Sequence, residues 1–244
     1  MTLVEQRQEW ITAIEDFRPL MVRGLVQEMY RDPFWEARYG ERGRTHTVKD
    51  THYHLNKLID AIALDLPDIF TQYYHWVQEL LVYRGMCTLH LEETLDSLAR
   101  QLAHYVPEYW QQIQVYLKAG YAGLFYDQPN SQALQQQSVE IARSATTRLF
   151  DSLSKSSSQT ARGQEVWFRD NRFYLSYLAD AVWVEKEELF RNHMNWVKTF
   201  LAQNGVEEKT LSEDLHLLAE ETERALPGSI GAPFVRLLQN QAKG

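Results

Sequence analysis

The chain has 244 residues, enough for one large domain or two of ordinary size, and 44% of them are apolar, which excludes wholesale disorder. A formal charge of −8 argues against a general nucleic-acid binder, which needs a net basic footprint. The single cysteine, Cys87, excludes an internal disulfide, and no apolar run approaches the roughly 20 residues of a membrane span, so the composition predicts a cytoplasmic protein with no membrane span.

Along the chain the periodicity is helical almost throughout. A first helix is expected over 3–31, with Pro19 as a candidate kink. Residues 31–46, rich in arginine and aromatic side chains, read as a long loop. Leu55, Leu58, Ile59 and Ile62 then step at three and four residues behind Asp50, a candidate N-cap. Another helix carries Ile69, Phe70, Tyr73, Trp76 and Leu80 on one face, and Gly85 stands where a left-handed C-terminal cap belongs. Leu91, Leu95, Leu98 and Leu102 define the next helix, and after Pro107 a closing helix holds Ile113, Tyr116 and Leu117.

The same succession returns 120 positions later. Asp60-Ala61-Ile62 is answered by Asp180-Ala181-Val182, Phe70 by Phe190, Trp76-Val77 by Trp196-Val197, and Gly85 by Gly205. Leu91, Leu95 and Leu98-Ala99 are answered by Leu211, Leu215 and Leu218-Ala219, Pro107 by Pro227, and Asp50 by Asp170. The expectation is an all-α protein made of two homologous bundles of about five helices, residues 1–125 and 126–244, related by internal duplication.

Places where the copies differ are the candidates for function. Copy one has the Arg/aromatic segment 31–46, with Trp35, Arg38, Arg42 and Arg44, where copy two has the serine-rich 152–159, read as a flexible linker. Guanidinium forks among aromatics suit an anionic group or a partner protein, although a solvated loop has the same composition. His193 replaces Tyr73 and Trp183 replaces Ala63, which enriches the second copy in aromatics. With Trp76 and Trp196 these residues make a candidate lining for a flat hydrophobic ligand such as a tetrapyrrole; a hydrogen-bonded core histidine is the plain alternative. His52 and His54, two apart, point to different sides of a helix and do not share one ion.

Glu213-x-x-His216 has the spacing used by di-iron bundles, but at 100° per residue Glu213 lies about 200° from Leu211, away from the buried stripe. Cys87 with His90 is a weak thiolate–imidazole signal, and there is no Gly-rich phosphate loop, Gly-x-Ser-x-Gly elbow or Cys-x-x-Cys.

The segment from Tyr53 through Asp60-Ala61 and Trp76 to Arg84-Gly85-Met86, and its copy from Tyr174 to Gly205-Val206, resembles the helical module that precedes the cobalamin-binding fold in methionine synthases and light-sensing cobalamin repressors. The resemblance implies a helical sensor or docking module with Trp183 and His193 near the ligand. The repressors' Trp followed ten residues later by Glu-His is absent here, and so is the Asp-x-His-x-x-Gly signature of the cobalamin-binding half. The resulting expectation is a non-enzymatic regulatory or sensory protein that binds another protein, with or without a flat ligand. Alternatives are a cofactor-dependent helical enzyme using His193, Glu213 and His216, and an adaptor docking through residues 31–46.

Overall fold

A computed structural model describes residues 2–155 and 163–243. Among the described residues there are ten α-helices, one short 3₁₀ turn at Pro107–Tyr109 and no β-strand, so the all-α class expected from periodicity is the one that forms. The helices are α1 (Leu3–Met29), α2 (Pro33–Leu64), α3 (Asp68–Tyr83), α4 (Thr88–Tyr105), α5 (Trp110–Ala122), α6 (Pro129–Lys155), α7 (Gln164–Trp183), α8 (Glu187–Gln203), α9 (Glu208–Ala225) and α10 (Ala232–Ala242). No helix is long and apolar enough to cross a membrane, among the described residues.

The chain divides into two compact units: unit 1 is Met1–Leu80 with His90–Phe125, and unit 2 is Leu81–Leu89 with Tyr126–Gly244. The turn between α3 and α4 therefore packs as part of unit 2.

Unit 1 buries Ile14, Met21 and Leu25 of α1 with Leu55, Leu58 and Ile62 of α2, joined by Phe70, Leu95, Leu98, Ile113 and Leu117. Glu28 of α1 accepts hydrogen bonds from Ser97 at 2.8 Å and from Arg100 of α4, and Tyr116 of α5 donates to Asp65 at 2.8 Å. In unit 2, Trp167 of α7, Phe190 of α8, Phe234 of α10 and the leucines of α9 (Leu211, Leu215, Leu218) are buried together. Arg148 of α6 grips Glu220 and Glu221 of α9, each at 2.6 Å.

Three sequence expectations are corrected. The segment 31–46 is not a loop: the Asp32 carboxylate accepts the Phe34 amide proton at 2.8 Å, Pro33 takes the first helical position, and α2 runs on to Leu64 with a break at Gly40. Asp50 and Asp170 consequently lie inside α2 and α7 rather than at their N-termini. Of the serine-rich stretch, Ser152–Lys155 finish α6, while Ser156–Gln159 lie outside the described residues.

Helix ends recur at the 120-residue spacing. Asp65 and Glu185 both adopt left-handed conformations, with φ of 54° and 55°, and Gly85 and Gly205 do so with φ of 86° and 76°. At each glycine the next amide reaches back along the helix, Met86 N–H to the Leu81 carbonyl and Val206 N–H to the Leu201 carbonyl, the C-terminal cap expected from sequence. A side chain at either glycine meets open space but an unfavourable φ. Gly85→Ala and Gly205→Ala are each expected to lower unfolding free energy by about 1 kcal/mol, read from urea melts.

Candidate functional site

In unit 2 the rings of Tyr177, His193, Trp196 and Phe200 form a stack. His193 is 1% exposed and lies flat on Tyr177, with ring centroids 3.7 Å apart and 15° between planes. Trp196 stacks on His193 at 6.4 Å and on Phe200 at 4.9 Å. Trp183 is half-buried, donates its indole N–H to Asp127 at 2.6 Å and meets Tyr126 edge-on. Trp76, in unit 1, is 55% exposed beside Tyr73. A shallow depression of about 260 Å³ on unit 2, lined by Lys198, Leu201, Val206, Glu207 and Leu211, holds none of these residues. His216 is exposed, and Glu213 accepts a hydrogen bond from Ser152. No group of three or more His, Cys, Asp or Glu side chains is placed to hold a metal ion, among the described residues.

The Arg/aromatic segment of unit 1 is folded inward. Trp35 is buried, with Tyr30, Tyr39 and His90 around it at centroid distances of 6.1, 5.4 and 5.1 Å. Trp35 is thus packed against these rings and not presented at the surface. Arg44 lies over the Tyr30 ring at 4.2 Å and pairs with Glu36 at 3.0 Å and Glu41 at 3.7 Å, so its charge is already answered. Arg42 is exposed and Arg38 half-buried. Cys87 is buried in unit 2, whereas His90 belongs to unit 1.

Two carboxyl groups of unit 2, on Asp180 and Asp214, are 0% exposed. Asp180 of α7 accepts the Thr88 amide proton at 2.8 Å, the Thr88 hydroxyl at 2.7 Å and the Tyr126 hydroxyl at 2.8 Å. The Leu89 amide donates to Ser176 at 3.0 Å, the Tyr177 hydroxyl donates to the Gly85 carbonyl at 3.1 Å, and Lys186 lies over the Tyr83 ring at 4.3 Å. One face of α7 is therefore covered by the 81–89 turn.

The second group is Asp214 of α9, which accepts from Asn171 at 3.0 Å; Asn171 also donates to Thr146 of α6 at 3.1 Å. Asp214 and Asn171 are both 0% exposed, and burial pushes the Asp214 carboxyl up to about 8, against the lowering effect of the Asn171 bond and with the Asp170 and Glu213 charges adding to the rise. Helical phase puts Glu213 off the apolar stripe and draws attention away from its neighbour. The signal is nonetheless in the sequence, since Asp214 sits three residues after Leu211 and four before Leu218, on the stripe itself.

Compared with known proteins, the chain matches no family model, no curated protein and no solved structure.

Proposed function

We propose that the chain is an internally duplicated helical binding protein whose first copy takes a segment of a partner protein on the exposed face of α2. The shared spacing of the left-handed residues, and the start of α4 and α9 at Thr88 and Glu208, support the duplication. The observation that carries the binding role is one aspartate in two settings. Asp180 is buried under the 81–89 turn with three donors, whereas Asp60, 120 positions earlier, is exposed and pairs with Lys57 at 2.8 Å.

Tyr53, Lys57, Asp60 and Leu64 follow each other at four, three and four residues along α2, one stripe of the helix. Tyr53 is 61% and Leu64 63% exposed, and Trp76, 55% exposed beside Tyr73, adds a further apolar side chain. The fitting partner is a helix that begins with a hydroxyl residue after an apolar turn, the chemistry by which Thr88 and Leu89 engage α7. A flat ligand among Trp76, Trp183, His193 and Trp196 has less support, because the rings of the second copy already stack on one another.

A photo-cross-linking side chain at Tyr53 tests this in cells of the native host. The expected result is one partner, linked through the first turn of a Ser- or Thr-led helix, and lost in the Asp60→Lys background. The reading fails if a cross-linker at Val139 of α6, which is also exposed, yields the same products, or if Asp60→Lys leaves them unchanged.

A further inference from the structure

In unit 2 the buried side chains of Asn171 and Asp214 each hold an acceptor oxygen with no donor among the described residues. Asn171 spends its amide protons on Thr146 and on Oδ1 of Asp214, which leaves its own Oδ1 without a hydrogen-bond partner; Oδ2 of Asp214 has none either. An ionised carboxylate beside an amide oxygen leaves both atoms unsatisfied in the core, at a large free-energy cost. A protonated carboxyl changes the count, because its O–H is a donor and an acid–amide pair can close with two bonds. We infer that unit 2 is held shut by a proton: Asp214 keeps α9 on α7 as a neutral acid paired with Asn171, and rising pH releases the α9–α10 hairpin.

The surroundings are set for this. The charges that act on Asp214 are carboxylates, Asp170 from α7 and Glu213 from α9 itself. Several cations of the packed elements have partners of their own: Arg143 of α6 with Glu140, Arg148 of α6 with Glu220 and Glu221, Arg191 of α8 with Glu188 and Arg236 of α10 with Glu187, while Arg169 of α7 lies over the Phe173 ring at 5.1 Å. Lys198 of α8 lines the surface depression, and His193 of α8 lies flat on Tyr177. From α6 the facing group is the Thr146 hydroxyl, which does not titrate in this range. α10 travels with α9 because the two pack along their lengths and Ser212 donates to the Ala242 carbonyl at 2.6 Å.

Unit 1 lacks the device. The residues 120 positions earlier are Thr51 and Thr94, both buried, whose hydroxyls donate to the backbone carbonyls of Thr47 at 2.7 Å and His90 at 2.8 Å. The acid is therefore peculiar to the second half of the chain.

Linkage gives the sign. A carboxyl raised to about 8 in the closed state and near 3.8 when exposed binds its proton more tightly closed than open. The closed state is thus most favoured in acid, loses ground as pH rises between those values, and changes no further above about 8.

Hydrogen exchange of the full-length protein, corrected for the intrinsic pH dependence of the amides, reads the opening constant. In α9 and α10 it is expected to rise about tenfold per pH unit between pH 5 and 7, the slope of one released proton. Asp214→Asn, an amide that pairs with Asn171 without a proton, is expected to flatten that slope, as is Asp214→Thr, the choice made at Thr94. A flat wild-type profile, or a slope shared equally by α6 and α7, overturns the inference. If neither variant folds, the carboxyl carbon of Asp214 followed by NMR in the wild type decides: titration near pH 8 supports the proton-held state, and titration near 4 refutes it.

Discussion

Replacing Asp180 with alanine is expected to lower the stability of unit 2 by about 3–5 kcal/mol, while the same change at Asp60 moves stability by less than about 0.5 kcal/mol. The two residues are identical and hold matching places at the 120-residue spacing, so intrinsic propensity cancels. What differs is burial. Asp180→Ala leaves the Thr88 amide, the Thr88 hydroxyl and the Tyr126 hydroxyl without their shared acceptor. Each orphaned buried donor costs about 1–3 kcal/mol, and relaxation or entering water recovers part of the sum. Asp60 loses a half-exposed pair with Lys57 that water replaces. Urea unfolding of both variants, with Tyr126→Phe to apportion one of the three bonds, checks the contrast. Near-equal losses at the two positions would mean that the 81–89 turn does not depend on Asp180.

Much of this fold is legible in the residues because leucine spacing reports which side of a helix is dry. The stripe Leu211, Leu215, Leu218 sits where periodicity places it, and the glycine caps at Gly85 and Gly205 have the left-handed φ their residue type suggests. The error over 31–46 has a physical source. Arginine and aromatic side chains without a clear apolar period resemble a loop, but Asp32-Pro33 is a strong helix start, and Trp35 supplies enough buried surface to hold the first turns in place. The candidate site is less legible than the fold. His193 and Trp196 stand out in the second half of the sequence, yet whether rings line a cavity or stack on one another depends on inter-helix distance, which no periodicity encodes. Asp180 is visible only as a repeat match, because its burial comes from Thr88, 92 positions away. Asp214 is available to phase arithmetic, but the more familiar Glu-x-x-His pattern beside it masks the signal.

Unit 1 carries a titrating group of opposite sense, and its stability is expected to fall in acid. His54 of α2 is buried against Tyr74, with ring centroids 5.2 Å apart, and its Nδ1 lies 3.0 Å from the Tyr73 hydroxyl. Burial alone pushes its pKa down to about 4 from 6.5. The unfolded chain therefore binds a proton between those values that the folded unit refuses. Stability is complete above pH 6.5, falls as pH drops toward 4, and levels off below it. Across that window the loss amounts to roughly 3 kcal/mol, since each tenfold change in proton affinity is worth about 1.36 kcal/mol. His54→Phe keeps a ring against Tyr74 and removes the titration, so unit 1 should lose its acid sensitivity while giving up the Tyr73 bond, worth about 1 kcal/mol. The two halves then oppose each other: acid loosens unit 1 through His54 and tightens unit 2 through Asp214. Tyr174 and Thr94 stand 120 positions from His54 and Asp214, so neither group recurs at that spacing. Peptide-resolved hydrogen exchange at about pH 4.5, 6 and 7.5 separates the responses. α2 and α3 should become more protected as pH rises and α9 less, and a common direction in both units would remove the opposition.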